Sequence, residues 1–303
     1  MITIYHWIVF NVCILVLLGI DLWQFRKHPE PRSLKDSIVA CLGWIALALV
    51  FNLWVYVKLG AEPAVNFLTG YLLEESLSVD NLFIFLIIFA HFRVPDACKH
   101  LVLFYGVMGA IVMRGLLIWG GIVFVHHFAW AFYLFGAFLI YSGIQLILSK
   151  GKSFKIEESK VYKLFSKMVP TTKDYHGQAF WVWAGTKWLA TPLLLVLLLI
   201  ESADLVFALD SVPAILGITT DPFIVYTSNI FAILGLRSLF FVLEKGMNKF
   251  DYIHDAVAAI LAFIGLKMII KDIYPIPTYA TLGVIVLLLC SAIFMSYAKK
   301  NRV

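Results

Sequence analysis

The chain has 303 residues, of which 62% are hydrophobic and 16% aromatic, while only 14% are charged. Together with a mean hydropathy of +0.90, this excludes an ordinary soluble domain, in which about 45–50% of residues are apolar and about 25% charged. The net charge of +5 comes from lysines and arginines concentrated between apolar runs. The partner it implies is a lipid bilayer, and no nucleic acid is expected.

A membrane-crossing helix needs about 20 apolar residues. In chain order, nine segments qualify, at roughly 4–25, 37–58, 66–91, 101–124, 128–149, 190–216, 223–244, 254–271 and 277–298. The expected fold is therefore all-α, a polytopic bundle of about nine spans forming one membrane domain over 1–303. Turn chemistry marks the breaks, as in Lys27-His28-Pro29-Glu30-Pro31, Val94-Pro95-Asp96, Thr219-Thr220-Asp221-Pro222 and Tyr274-Pro275-Ile276-Pro277. The first run lacks a basic leader and a small-residue cleavage site, so it reads as a retained helix. Cys13, Cys41, Cys98 and Cys290 are far apart and form no CxxC pair, which suits small buried hydrophobes.

Nineteen lysines and arginines fall in the connections on one side of this layout, and two, Lys58 and Lys271, on the other. The positive-inside rule then puts the C-terminus in the cytoplasm and the N-terminus outside. The long connection 150–189 carries eight of those lysines, interleaved with Phe154, Tyr162, Leu164, Phe165 and Met168. It is expected to lie on the anionic inner leaflet as an amphipathic helix.

Two copies of an acidic pattern interrupt the apolar runs. One is Glu74-Glu75-Ser76-Leu77-Ser78-Val79-Asp80-Asn81, the other Asp204-Leu205-Val206-Phe207-Ala208-Leu209-Asp210-Ser211. A carboxylate at bilayer depth is costly and marks function by default. Superposing Asp80 on Asp210 places Glu74 on Asp204 and Asn81 on Ser211. The match continues from Gly109–Arg114 to Phe231–Arg237, and from Tyr141-Ser142-Gly143-Ile144-Gln145 to Phe263-Ile264-Gly265-Leu266-Lys267. This defines repeat units 66–149 and 190–271, with 1–58 and 277–303 as peripheral spans. Each unit has three spans, an odd number, so the two are inverted, as in alternating-access transporters.

Six residues advance about 9 Å along a helix and leave two side chains about 120° apart. Glu74 and Asp80 therefore cannot hold one ion from an unbroken helix, nor can Asp204 and Asp210. Glu201, Asp204 and Ser211 share a face, and the economical pairing sets Asp80 of one repeat against Asp210 of the other. Pro213 frees the carbonyl of Leu209 beside that site. Asp80, Asn81, Asp204, Asp210, Ser211 and Glu74 offer hard oxygen donors, which suit Mg²⁺, Ca²⁺ or Mn²⁺ rather than copper or zinc. Arg114, Arg237 and Lys267 lie inside spans and are candidate charge partners for these acids. No GxSxG, HExxH, CxxC or phosphate-binding glycine loop is present, so an enzyme is not expected.

At Gly70–Asn81, Asp204–Ile215, Thr219–Phe223 and Ser228–Ser238 the chain resembles the TerC family, named for tellurium resistance, with a match close to its alkaline-induced Alx branch. The resemblance covers about 5–298 and is weakest over 150–187. It implies a bacterial inner-membrane protein of the LysE-like transporter superfamily, a group associated with manganese efflux. It also implies that Glu74, Asp80, Asn81, Glu201, Asp204, Asp210 and Ser211 occupy the family's acidic motif positions. The expected function is Mn²⁺ efflux, with protons as a possible counter-ion and no resident cofactor. The rival expectation is a non-transporting membrane component of the tellurite, redox or alkaline-pH stress response.

Overall fold

The computed structural model describes residues 2–27, 33–128, 130–149, 170–172, 174–185, 187–246 and 252–300. Nine helices and one small hairpin make up the described residues: α1 Ile4–Lys27, α2 Leu34–Leu59, α3 Ala61–His91, α4 Asp96–His127, α5 Ala131–Ser149, β1 Trp181–Ala184, β2 Lys187–Ala190, α6 Pro192–Leu216, α7 Pro222–Gly246, α8 Ile253–Ile270 and α9 Thr278–Lys300. The chain is a helical membrane bundle. Seven of these helices are long and apolar enough to cross a bilayer. Nine spans are expected and seven of the described helices qualify; α3, interrupted by Glu74, Glu75 and Asp80, and the 18-residue α8 fall outside that set.

Local chemistry sets the helix ends. Ser33 and Asp36 form a reciprocal capping box that starts α2, and Gly60, at φ +99°, ends it by donating to the Tyr56 carbonyl. Pro192 lies in the first turn of α6, where its missing N–H costs nothing. Asp221 starts α7 by accepting from the amides of Phe223 and Ile224, at 2.9 and 3.1 Å.

Packing is reciprocal between the two halves. Helix α3 lies against α7, α4 against α6, and α5 against α8. The α5–α8 pair is the tightest. A Cβ on Gly136 would come within 2.7 Å of the Gly265 carbonyl oxygen, and one on Gly143 within 2.7 Å of the Ala258 oxygen. Because 136 faces 265 while 143 faces 258, the two helices run antiparallel. Helix α7 is the most enclosed span, and α1, α2 and α9 face outward. Helix α1 is held by an aromatic cluster in which Phe10 meets Phe51, Phe223 and Phe231.

The amphipathic helix expected of the connection before α6 rests on Phe154, Tyr162, Leu164, Phe165 and Met168, which lie outside the described residues. The end of that connection, 181–190, forms a hairpin. The cause is local: Trp181-Val182-Trp183 and Lys187-Trp188-Leu189 alternate with period two, and Gly185, at φ +69°, supplies the positive φ that a two-residue hairpin loop demands. The preceding stretch is pinned to the α3–α4 turn. The Tyr175 hydroxyl donates to the Phe92 carbonyl at 2.9 Å, Gln178 donates to the Ala97 carbonyl at 3.1 Å, and the Cys98 thiol donates to the Gly177 carbonyl at 3.3 Å. Burial pushes the Tyr175 phenol up to about 12, so it stays a hydrogen-bond donor at any physiological pH.

Candidate functional site

Four helices converge on one arginine. Arg114 of α4 is wholly buried, with a side-chain exposure of 0%. Its Nε and Nη2 donate to the two carboxylate oxygens of Asp204 on α6, at 3.1 and 2.8 Å. Nη1 forms an ion pair with Glu74 of α3 and donates to Asn229 Oδ1 of α7 at 3.3 Å. Asn229 Nδ2 in turn donates to Glu74 Oε2 at 2.9 Å. This fork geometry satisfies two carboxylates with one cation, the arrangement for which guanidinium is suited.

Neighbouring residues make that arrangement possible. In α7, the hydroxyls of Thr227 and Ser228 donate back to the carbonyls of Phe223 and Ile224, both at 2.7 Å. Only the Asn229 amide of that polar run reaches across to another helix. Glycines allow the close approach: the Glu201 carboxylate lies against Gly109 of α4, and Glu75 Oε1 would lie 3.0 Å from a Cβ on Gly235 of α7. Among the described residues, Glu201 Oε2 is buried without a hydrogen-bond partner, and Arg114 bonds Asp204 instead.

A second polar site is separate from this network. Asp210 and Asn81 line one cavity of about 320 Å³ with Tyr141, Ser142 and Gln145, bounded by α3, α5, α6 and α8. The Ser142 hydroxyl donates to Asp210 Oδ1 at 2.7 Å. Asn81 is 3% exposed, while the cavity rim at Tyr141, Val206 and Leu209 is open. Buried Ser211 lies next to Asp210 along α6, and the hydroxyls of Ser211 and Ser78 have no hydrogen-bond partner among the described residues. Helix α6 runs unbroken through Pro213. That proline has no N–H to offer the Leu209 carbonyl.

The expected site residues therefore divide. Asp210 and Asn81 come together across α6 and α3, whereas Glu74 and Asp204 turn to Arg114 and line a different region. The side chain of Asp80 lies outside the described residues. Among those described, no group of three or more His, Cys, Asp or Glu residues could hold a metal ion. Arg237, matched with Arg114 in the sequence repeat, instead pairs with Asp21 of α1. Its partner is a peripheral helix with no counterpart inside the repeats, and nothing in the repeat pattern signals it. Lys267 is buried, but no ion pair to it is present among the described residues. Sequence reasoning did not single out Asn229 or Ser142 as site residues. Asn229 ends the polar run Thr227-Ser228-Asn229 in α7 and Ser142 lies between Tyr141 and Gln145 in α5, and such polar clusters within apolar helices are the signal that could have found them.

Comparison with known proteins agrees with this architecture. The model of the integral membrane protein TerC family matches residues 59–303. An uncharacterized membrane protein of Myxococcus xanthus is 43% identical over 98% of this chain and 93% of its own length. One of Rickettsia bellii is 41% identical over 98% of each chain. A Salmonella typhi protein, Alx, whose name assigns it a proposed role as a membrane-bound redox modulator, is 42% identical over 92% of this chain and 89% of its own. No solved structure matches the chain. By the extent of these matches, the chain belongs to the TerC family of integral membrane proteins.

Proposed function

We propose that this protein exports Mn²⁺ across the bacterial inner membrane, using two inverted three-helix repeats that meet at Asp210 and Asn81. The observation that carries the reading is the division of the buried acids. Arg114 neutralises Glu74 and Asp204, while Asp210 faces a mostly apolar cavity in which Asn81 and Ser142 are its oxygen neighbours. Carboxylate, amide and hydroxyl oxygens suit a hard divalent cation. The orphan hydroxyls of Ser211 and Ser78 supply further uncommitted oxygens beside the same motifs. Asp80 would contribute the second carboxylate. Binding a divalent ion displaces protons from such a site, so exchange against H⁺ follows naturally.

The reciprocal packing of α3 on α7 and α4 on α6 supports the inverted repeat. The small-residue contacts support its register. Superposing Gly143 on Gly265 carries Gly136 onto Ala258, and these four residues form the two closest α5–α8 contacts.

Intracellular manganese tests the proposal. Cells lacking the protein are loaded with Mn²⁺ and complemented with wild type or Asp210→Asn. Lower manganese with wild type alone is the expected result, and equal manganese in both strains refutes it. A second reading draws on the Arg114 network, which resembles a structural lock, and on the redox role in the name of the Salmonella relative. In it the acids only hold helices together, and Asp210→Asn would lower thermal stability instead of efflux.

A further inference from the structure

The hairpin before α6 presents an aromatic face that the transport reading does not use. Trp183 is directly opposite Trp188 in the antiparallel register, and Trp181 is two residues from Trp183 on the same strand. All three therefore project from one face of the ribbon. Their exposures are 48%, 57% and 61% for Trp181, Trp183 and Trp188, and the Trp183 and Trp188 rings meet edge to face at 5.3 Å. Three exposed tryptophans on so short an element need a partner.

The fold fixes the level of this face in the membrane. Asp204 and Arg114 mark the centre of the bundle. Pro192 lies twelve residues from Asp204, about 18 Å along α6, and Tyr105 lies nine residues from Arg114, about 14 Å along α4. The hydrocarbon half-thickness is about 15 Å, with the headgroup layer just beyond it. The root of the hairpin sits between these levels: Phe180 packs edge-on against Tyr105 at 5.3 Å, and the Thr191 amide donates to the Phe180 carbonyl at 2.9 Å. Tyr105 is itself 41% exposed on the outer surface of the bundle. The hairpin thus leaves the protein on a lipid-facing flank, at the depth where tryptophan is enriched. Between Asp174 and Glu201 there is no acidic residue, and the one charged side chain is Lys187. That charge pattern fits an anionic leaflet.

We infer that Trp181, Trp183 and Trp188 form an interfacial anchor that seats the segment joining the two halves of the protein in the phospholipid headgroup layer on its lysine-rich side. The anchor holds the joint at a fixed depth, because the same segment is bonded to the α3–α4 turn and continues directly into α6.

The test uses the full chain in lipid nanodiscs, where both faces are accessible. Subtracting the emission of a Trp181→Phe, Trp183→Phe, Trp188→Phe variant from that of the wild type isolates the hairpin signal. The quenchers are phospholipid brominated near the headgroup end of its acyl chains and aqueous iodide. The expected result is at least twofold quenching by bromolipid, exceeding that by iodide at least threefold. Stronger quenching by iodide would show the face open to water. No quenching by either would show it covered by protein, such as a second copy. Either result overturns the inference. If the triple variant fails to fold, a nitroxide on Trp183→Cys in a background without native cysteines gives the same discrimination. Collisions with oxygen exceeding those with a water-soluble nickel chelate support the anchor, and the reverse ratio refutes it.

Discussion

Replacing Arg114 with methionine tests the central network most directly. Methionine keeps most of the aliphatic volume but removes the cation between Glu74 and Asp204. The guanidinium makes two hydrogen bonds to Asp204, one to Asn229 and an ion pair to Glu74. Both carboxylates are almost fully buried, at 1% and 5% side-chain exposure. Removing one partner of a buried pair costs about 3–5 kcal/mol, because the remaining charge is left uncompensated. Polar contacts between membrane helices measure lower, about 0.6–1.7 kcal/mol each. Three to four such contacts lead to the same range. At roughly 2–4 °C per kcal/mol for a chain of a few hundred residues, Tm in detergent should fall by about 10 °C. The companion variant Arg114→Met, Glu74→Gln, Asp204→Asn carries no buried charge at this point and should recover at least half of that loss. Thermal unfolding of the purified protein, followed by loss of the monodisperse elution peak, reads both. A fall of less than about 2 °C in the single variant, or no recovery in the triple, would refute the reasoning.

Ser142→Ala removes the 2.7 Å hydrogen bond to Asp210 and should weaken Mn²⁺ efflux several-fold, with Tm changed by less than about 2 °C; dose-dependent manganese sensitivity of complemented cells reads the first. Mn²⁺ at a hundredfold excess over its Kd should stabilise the folded protein by about 2.7 kcal/mol, and Asp210→Asn should abolish that thermal shift. Gly136→Ala would set a methyl 2.7 Å from the backbone oxygen of Gly265, which cannot swing aside, whereas Gly283 has nothing within 4 Å. The first should cost about 1–3 kcal/mol and lower the yield of folded protein, and Gly283→Ala should leave it unchanged.

The sequence by itself determined that the chain is a helical membrane bundle, because apolar runs of span length have few other stable outcomes in a bilayer. The start of α7 was legible at Thr219-Thr220-Asp221-Pro222, where capping chemistry is local. The division of labour among the acids was not. Glu74 and Asp210 look alike along the chain, and their difference depends on what the neighbouring helices bring. Arg114 reaches Glu74 and Asp204 because α4 packs on α6 and α3 on α7, while Ser142 reaches Asp210 from α5. Arg237, equivalent to Arg114 by spacing, meets Asp21 because α1 packs beside the basic end of α7. The tryptophan hairpin was hidden by the many lysines around it, which suggested a helix, although its period-two alternation and Gly185 were present in the sequence. Composition and periodicity decide which segments fold and enter the membrane. Which charges are neutralised and which face a cavity depends on contacts between residues from about 70 to more than 200 positions apart, and only the tertiary structure supplies those.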